Sequence, residues 1–302
     1  MKASPRILAL DIGTVARDVL VDALVQEGAE GEVVAVFDRS CYVRTPGGLA
    51  CIGTGFIGAG PLNVRLELIE GQIWRDLDIR VEMPCAATAD TLSIGADVVV
   101  DLAGAATWMP AVLPVWTPAT LHTGLLATRI AAIERCPHDG LARLFFAPTR
   151  AKPSNPHATA ARASFDMLTR ALDPALASGR LNTDLASSAM LLLGLGPGLT
   201  PSGDDLLGGL MIALTALGQT GVRDQLWDAL RPELEMLTNE ISAMHLAVAA
   251  DGFGSAACHE ALNAMLAGTT PDLDAIDAIG HTSGWDMLAG MAVALAAASD
   301  RR

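Results

Sequence analysis

The sequence predicts an α+β chain, a β-rich N-terminal part packed on a mainly α-helical C-terminal part. Three observations carry this. Short runs rich in Val, Phe, Tyr, Cys and Ile, parted by turn residues, fill the first hundred positions. Pro110, Pro114 and Pro118 then punctuate a loop, and from about residue 119 the apolar spacing becomes helical. Residues 1–118 are read as one domain and 119–302 as a second.

Taken in order, Ile7 to Leu10 is an apolar stretch too short for a signal peptide before it meets Asp11. LALDIGT, Leu8 to Thr14, looks like the first phosphate loop of actin-like kinases. That fold needs a β-hairpin next, whereas Val15, Leu20 and Ala23 continue a helical spacing to Gln26. Strands are predicted over 33–37, 40–45 and 49–53, the last two joined as a hairpin around Pro46, Gly47 and Gly48. Val64 to Ile69, Ile79 to Met83 and Asp97 to Leu102 are further strands. A helix is expected over 120–135, a polar loop over Pro148 to His157, and helices beyond it. Their breaks fall at Gly194–Gly203, Gly218–Gly221, Gly252–Gly254 and Gly268–Pro271.

With 302 residues, 51% hydrophobic and 18% charged, the chain has enough apolar surface for a sizeable core, which excludes a largely disordered protein. A mean hydropathy of +0.38 raises the question of a membrane. The longest apolar runs, 206–218 and 287–298, are well short of the roughly 20 residues a crossing helix needs, and an Asp closely precedes each. They read as buried helices. The formal charge is -14, and residues 181–302 hold four Arg, no Lys and 15 Asp plus Glu, so 4 - 15 = -11 lies there. Nucleic acid and anionic membranes are poor partners for such a chain. Between Arg129 and Arg180 eight Lys or Arg face four Asp or Glu, a source of countercharge for an anionic substrate or simply a solvated helix face. Cys41, Cys51, Cys85, Cys136 and Cys258 form no CxxC spacing, and read as small buried side chains in a reducing, cytoplasmic compartment.

The most informative feature is an internal repeat. Thr200 to Leu214, TPSGDDLLGGLMIAL, aligns with His281 to Leu295, HTSGWDMLAGMAVAL, at an offset of 81, and seven of the fifteen positions are identical. The pattern SGxDxLxG thus opens two apolar helices. A capping box explains part of it: Ser202 or Ser283 would accept from a first-turn amide while Asp205 or Asp286 reaches back to the cap. Three features exceed a cap. Gly203 and Gly284 sit in a first turn, where Gly is unfavourable and backbone exposure is a reason for it. Asp204 is a second carboxylate without capping duty. The loop GLGPGL, Gly194 to Leu199, offers backbone N–H groups for an anion.

Two facing helix N-termini suit phosphate or carboxylate. They would also bring Asp204, Asp205 and Asp286 together, and two carboxylates about 5 Å apart repel by roughly 3 kcal/mol at an effective dielectric of 20. A Mg2+-like cation held by those three residues, an Arg or a bound proton would relieve that. His281 is the one His in the constellation and suits a general acid or base. His122, His138, His157, His245 and His259 show no metal-ligand spacing.

GLGPGLTPSGDDLLGGL, then TNEISAMHLAVAADG, then GHTSGWDMLAGM resemble the AllH family, with a looser likeness over Val33 to Ile69. The family pattern near Ser-Val-Phe, with an Asn five residues on, is represented here by Ala35, Val36, Phe37 and Tyr42. The resemblance implies a subunit of a carbamoyltransferase in allantoin catabolism, which converts oxalurate and phosphate to oxamate and carbamoyl phosphate. It implies a complex with two other subunits, one similar to an acyl-CoA ligase. Asp204, Asp205, Asp286 and His281 are then the candidate catalytic residues, and Thr200, Ser202, Gly203, Ser283 and Gly284 the substrate-binding ones. The competing readings are a non-catalytic scaffold that docks partner chains through its acidic half, and a stand-alone metal-dependent enzyme acting on a small anion.

Overall fold

Alternation of buried and outward residues builds the first part of the chain into a closed sheet. A computed structural model describes residues 6–22, 31–68, 73–88, 90–147 and 155–299. Its contacts divide the chain into Met1–Pro110 and Ala111–Arg302, so the boundary falls at Pro110 where the prolines had suggested Pro118.

In the first unit the strands are β1 (Arg6–Gly13), β2 (Gly31–Val36), β3 (Ser40–Thr45), β4 (Gly48–Thr54), β5 (Asn63–Glu67), β6 (Pro84–Ala87), β7 (Thr91–Ile94), β8 (Val98–Asp101) and β9 (Ala106–Trp108). They run in the order β5-β4-β3-β2-β6-β7-β8-β1, and an antiparallel β1–β5 pairing closes the ring. Closure leaves those eight strands without an open edge. The short β9 adds parallel to the end of β1. Alternation turns Val33, Val43, Val64, Leu92, Ile94, Val98 and Val100 inward, where they are buried, while β4 is buried at every position from Leu49 to Thr54. The predicted β3–β4 hairpin is present in full register.

β1 passes straight into the helix α1 (Thr14–Arg17) and a π-turn over Asp18–Asp22, without the hairpin a kinase phosphate loop requires. Asp11 of that segment is instead held by a paired contact with Arg65. The helical continuation to Gln26, the end of the predicted strand at Ile69 and most of the Pro148–His157 loop lie outside the described residues. Ile79 to Met83 is not a strand. Asp78 and Glu82 take left-handed backbone conformations there (φ 48° and 69°), and the Met83 amide folds back onto the Arg80 carbonyl.

The second unit holds α2 (Pro118–Arg135), α3 (Arg143–Phe146), α4 (Pro156–Ser178), α5 (Thr183–Leu192), α6 (Ser202–Ala216), α7 (Thr220–Leu230), α8 (Leu234–Leu237), α9 (Glu240–Ala250), α10 (Ala256–Ala267), α11 (Leu273–Asp277) and α12 (Ser283–Ser299). Each predicted glycine break separates two of them. Thr117, Asn155, Asn182, Asn239, Ser255 and Asp272 cap helix starts with their side chains, each satisfying a first-turn amide. At the centre lie α6 and α12, packed on each other. α6 is buried on all sides from Ser202 to Leu214, the behaviour of a helix that is apolar all round. No helix among the described residues is long and apolar enough to cross a membrane.

Candidate active site at two crossed helix starts

The repeat produces a reciprocal contact. A Cβ on Gly209 would lie 2.0 Å from the Met287 carbonyl oxygen, and one on Gly290 would lie 1.9 Å from that of Leu206. Gly290 and Met287 are the second-copy equivalents of Gly209 and Leu206, so each helix offers the same glycine to the same carbonyl of the other. A local two-fold relation between α6 and α12 follows. Only Gly lets the two backbones approach so closely.

Across this relation the first turns converge. The Thr200 hydroxyl is hydrogen-bonded to the Ser283 hydroxyl at 2.9 Å. The Asp205 carboxyl of the first copy lies beside Ser283 of the second, and the Asp286 carboxyl of the second beside Ser202 of the first. Thr200, Ser202, Asp205, Ser283 and Asp286 are therefore brought to one place. Thr282, which the sequence reading missed, lines the same spot next to Asp286.

The capping box predicted for Ser202 and Asp205 does not form at α6. Pro201 precedes that helix without a side-chain cap, and the Asp205 and Asp204 amides bond back to the Pro201 carbonyl. Gly203 and Gly284 also have a reason other than exposed backbone. A Cβ would come within 1.8 Å of the Leu192 carbonyl oxygen at Gly203 and within 2.2 Å of that of Ile276 at Gly284, so the preceding helix excludes any larger residue. The Gly203 amide is spent on the Leu195 carbonyl.

Asp204 reverses the sequence expectation of a carboxylate free of structural duty. It is buried, accepts from the Gly194 amide at 2.6 Å and the Ser242 hydroxyl at 2.6 Å, and accepts also from the Thr238 hydroxyl. It thus ties the glycine-rich loop to the start of α9.

Asp286 is gripped on one side only. Its Oδ1 accepts from the amides of Leu141 and Ala142, both at 2.7 Å. The turn that presents those amides is braced by Asn155, which donates to the carbonyls of His138 and Gly140 while its own oxygen caps α4. Gly140 has φ 75°, and a Cβ there would lie 2.6 Å from Asp286 Oδ2. Among the described residues Oδ2 itself is buried with no hydrogen-bond partner, and so is Oδ2 of Asp205. Burial pushes the Asp286 carboxyl up to about 7, against the opposing pull of the Ser202 hydroxyl and the two amides. Burial also raises Asp205 well above the usual carboxylate range; the Ser283 hydroxyl opposes this and the charges of Asp286 and Asp204 add to it.

His281 stands apart from this buried pair. It is exposed, and its Nε2 is hydrogen-bonded to Asp139 Oδ2 at 3.0 Å on the surface. Among the described residues no group of three or more His, Cys, Asp or Glu is placed to hold a metal ion. The expected set of Asp204, Asp205 and Asp286 fails as such because Asp204 turns its oxygens to protein donors.

The family model described as oxamate carbamoyltransferase subunit AllH matches residues 192–295, the span that holds both copies of the repeat. The model of the AllH family N-terminal domain matches residues 8–107, most of the closed sheet. No solved structure matches the chain. Two models that follow in this order and together match most of the chain, the second of them spanning both helix starts, place it in a family: the chain belongs to the AllH family, oxamate carbamoyltransferase subunits.

Proposed function

We propose that this chain is the subunit that holds the carbamoyl donor during phosphorolysis of oxalurate to oxamate and carbamoyl phosphate, acting in the cytoplasm within a complex of several subunits. A phosphate oxygen attacks the carbamoyl carbon, the bond from that carbon to the oxamate nitrogen breaks, and a proton passes from hydrogen phosphate to the departing nitrogen. Asp205 and Asp286 are assigned to hold and relay that proton. Both carboxyls have their affinity for a proton raised by burial, and Asp286 titrates near neutrality, where a relay group is most effective. The observation that supports this reading is the crosswise placement of the two acids, each with one buried oxygen that accepts no hydrogen bond among the described residues.

The test is carbamoyl phosphate formation from oxalurate and phosphate by the chain assembled with its partner subunits. Asp286→Asn, folded and assembled, is expected to lower kcat by roughly a hundred-fold or more, the usual scale for loss of a proton-transfer group. Full activity of both Asp205→Asn and Asp286→Asn in the assembled enzyme would replace this reading with the scaffold one. Turnover of oxalurate by the isolated chain would remove the requirement for partners.

A further inference from the structure

The helix α2 has two apolar faces. Its inner one, with Leu121, Leu125, Thr128 and Ala132, is buried, and at Gly124 a Cβ would lie 2.0 Å from the Met265 carbonyl oxygen, so this side is fully engaged. Ala119, Thr123, Leu126, Ile130 and Ile133 run along the opposite side. All five are exposed, the last three at 53%, 64% and 45%. Thr123 belongs to the row because its hydroxyl is spent on the Ala119 carbonyl at 2.9 Å, which leaves its methyl group to the surface. Single exposed apolar residues are ordinary, but a continuous row of them marks an interface.

The spacing says what fits there. Steps of four, three, four and three residues are the heptad seam of a two-stranded coiled coil, with Thr123 and Ile130 at its first position and Ala119, Leu126 and Ile133 at its fourth. A β-branched residue at the first position with Leu at the fourth, as in Ile130 and Leu126, favours two parallel strands. The charges beside the seam then select a second copy of the same helix. Arg129, held over the Phe145 ring at 4.8 Å, flanks one side, and Glu134, five residues on, flanks the other. That is the separation at which the flanks of two parallel helices in register meet, so two copies form the pair twice. An antiparallel pair centred on Leu126 would set Arg129 against His122 instead, and leave Glu134 at the end of the seam.

Two further observations agree. In a chain of charge -14, α2 holds two Arg and one Glu, so a second acidic copy is repelled least along this helix. Just ahead of it, Val112 and Val115 are 93% and 98% exposed, and a parallel pair brings both copies of them to one end. We propose that α2 pairs with α2 of a second copy, parallel and in register, so that the chain forms a two-fold dimer.

The full chain alone, in sedimentation equilibrium at up to about 100 µM, is expected to reach twice its mass of 31.3 kDa. Ile130→Glu puts a charge in the seam. It is expected to weaken association by about a hundred-fold or more with unchanged circular dichroism, because the position is exposed in the single chain. Arg129→Glu and Glu134→Arg each bring like charges together twice and should weaken it by about ten-fold, whereas an equimolar mixture of the two variants restores it to within about three-fold. Ile130→Cys reads the direction. A parallel pair sets this position against itself, and mild oxidation is expected to cross-link two chains there, since the five native cysteines are buried.

A chain that stays monomeric over that range overturns the proposal without recourse to a variant, and leaves the face to a different subunit. A dimer that tolerates Ile130→Glu overturns it too, because another surface then holds the copies together. So does a dimer whose Ile130→Cys form does not cross-link, or whose mixed charge variants fail to recover. Every one of these measurements is made without substrate, so none depends on the carbamoyl-transfer reading.

Discussion

The two copies of SGxDxLxG share a backbone and differ in what anchors it. Gly209 and Gly290 meet equivalent carbonyls, and Asp205 and Asp286 reach equivalent serines across the helix pair. The supports are unlike. In the second copy two amides from a distant turn hold Asp286, whereas no described amide holds Asp205. One position earlier, the first copy has Asp204 with three donors, and the second has Trp285, buried, with its Nε1 on Asp277 at 2.5 Å. The repeat therefore supplies the close approach and the paired acids. The surroundings make the two acids chemically distinct, which a transfer reaction with two different ends can use.

The largest difference concerns pH. Asp286 keeps its proton in the folded state up to about pH 7, far above its ordinary value of 3.8. Between those values the folded chain binds more protons than the unfolded chain, so the contribution of this group to stability falls as pH rises and is level above 7. Each pKa unit is worth about 1.4 kcal/mol, which makes the fall up to about 4 kcal/mol across the window. Asp286→Asn should remove it. Urea unfolding of both proteins between pH 4 and 8 gives the difference directly, and parallel curves would mean that the carboxyl is ionised in the folded state after all. Asp205→Asn changes the profile in the same direction, since burial raises that group too.

Next in size is the helix crossing itself. A methyl group on Gly209 or on Gly290 would collide with a backbone carbonyl that cannot rotate away, so the helices must part. Gly209→Ala and Gly290→Ala are each expected to destabilise the fold by about 3 kcal/mol, the upper end for overpacking. The local two-fold relation requires that the two effects match to within about 0.5 kcal/mol, the usual scatter for independent sites. If one substitution is tolerated and the other is not, as judged by thermal unfolding, the two copies are not reciprocal.

The reciprocity was legible in the sequence because a repeat with an offset of 81 is a one-dimensional signal. Ser202, Asp205, Ser283 and Asp286 carry it, and the helices they open follow from apolar spacing. The supports were not legible for a physical reason. Leu141 and Ala142 act through their amides, which every residue has, from a point some 145 positions away, and the only local hint is the Asp139-Gly140 turn ahead of α3. Thr238 and Ser242 stand in a helix start that looks like any other cap. In the closed sheet, β6 and β7 have four residues each and offer too few alternations to register. Ile79 to Met83 has the composition of a strand, yet left-handed backbone at Asp78, just before it, and at Glu82, within it, turns it into a loop.

The smallest effects test the position where the copies differ, Asp204 against Trp285. Asp204→Asn keeps the shape but replaces a charged acceptor of three hydrogen bonds with a group that can accept at one oxygen only. With hydrogen bonds to charged groups worth about 1.5–3 kcal/mol, the loss should be about 2 kcal/mol. Trp285→Phe removes one N–H donor and part of a buried ring that packs edge-on against Phe146 at 6.1 Å. Its acceptor is not stranded, because Asp277 also receives Arg135 at 2.5 Å and stands partly in solvent. About 1 kcal/mol is expected there, since no buried charge is left unpaired. Urea midpoints measured at pH 7.5, above the Asp286 transition, keep the proton effect out of the comparison. If Trp285→Phe proves the more damaging, the second copy is held by its ring packing rather than by hydrogen bonds. The anchoring of the two copies would then differ in kind.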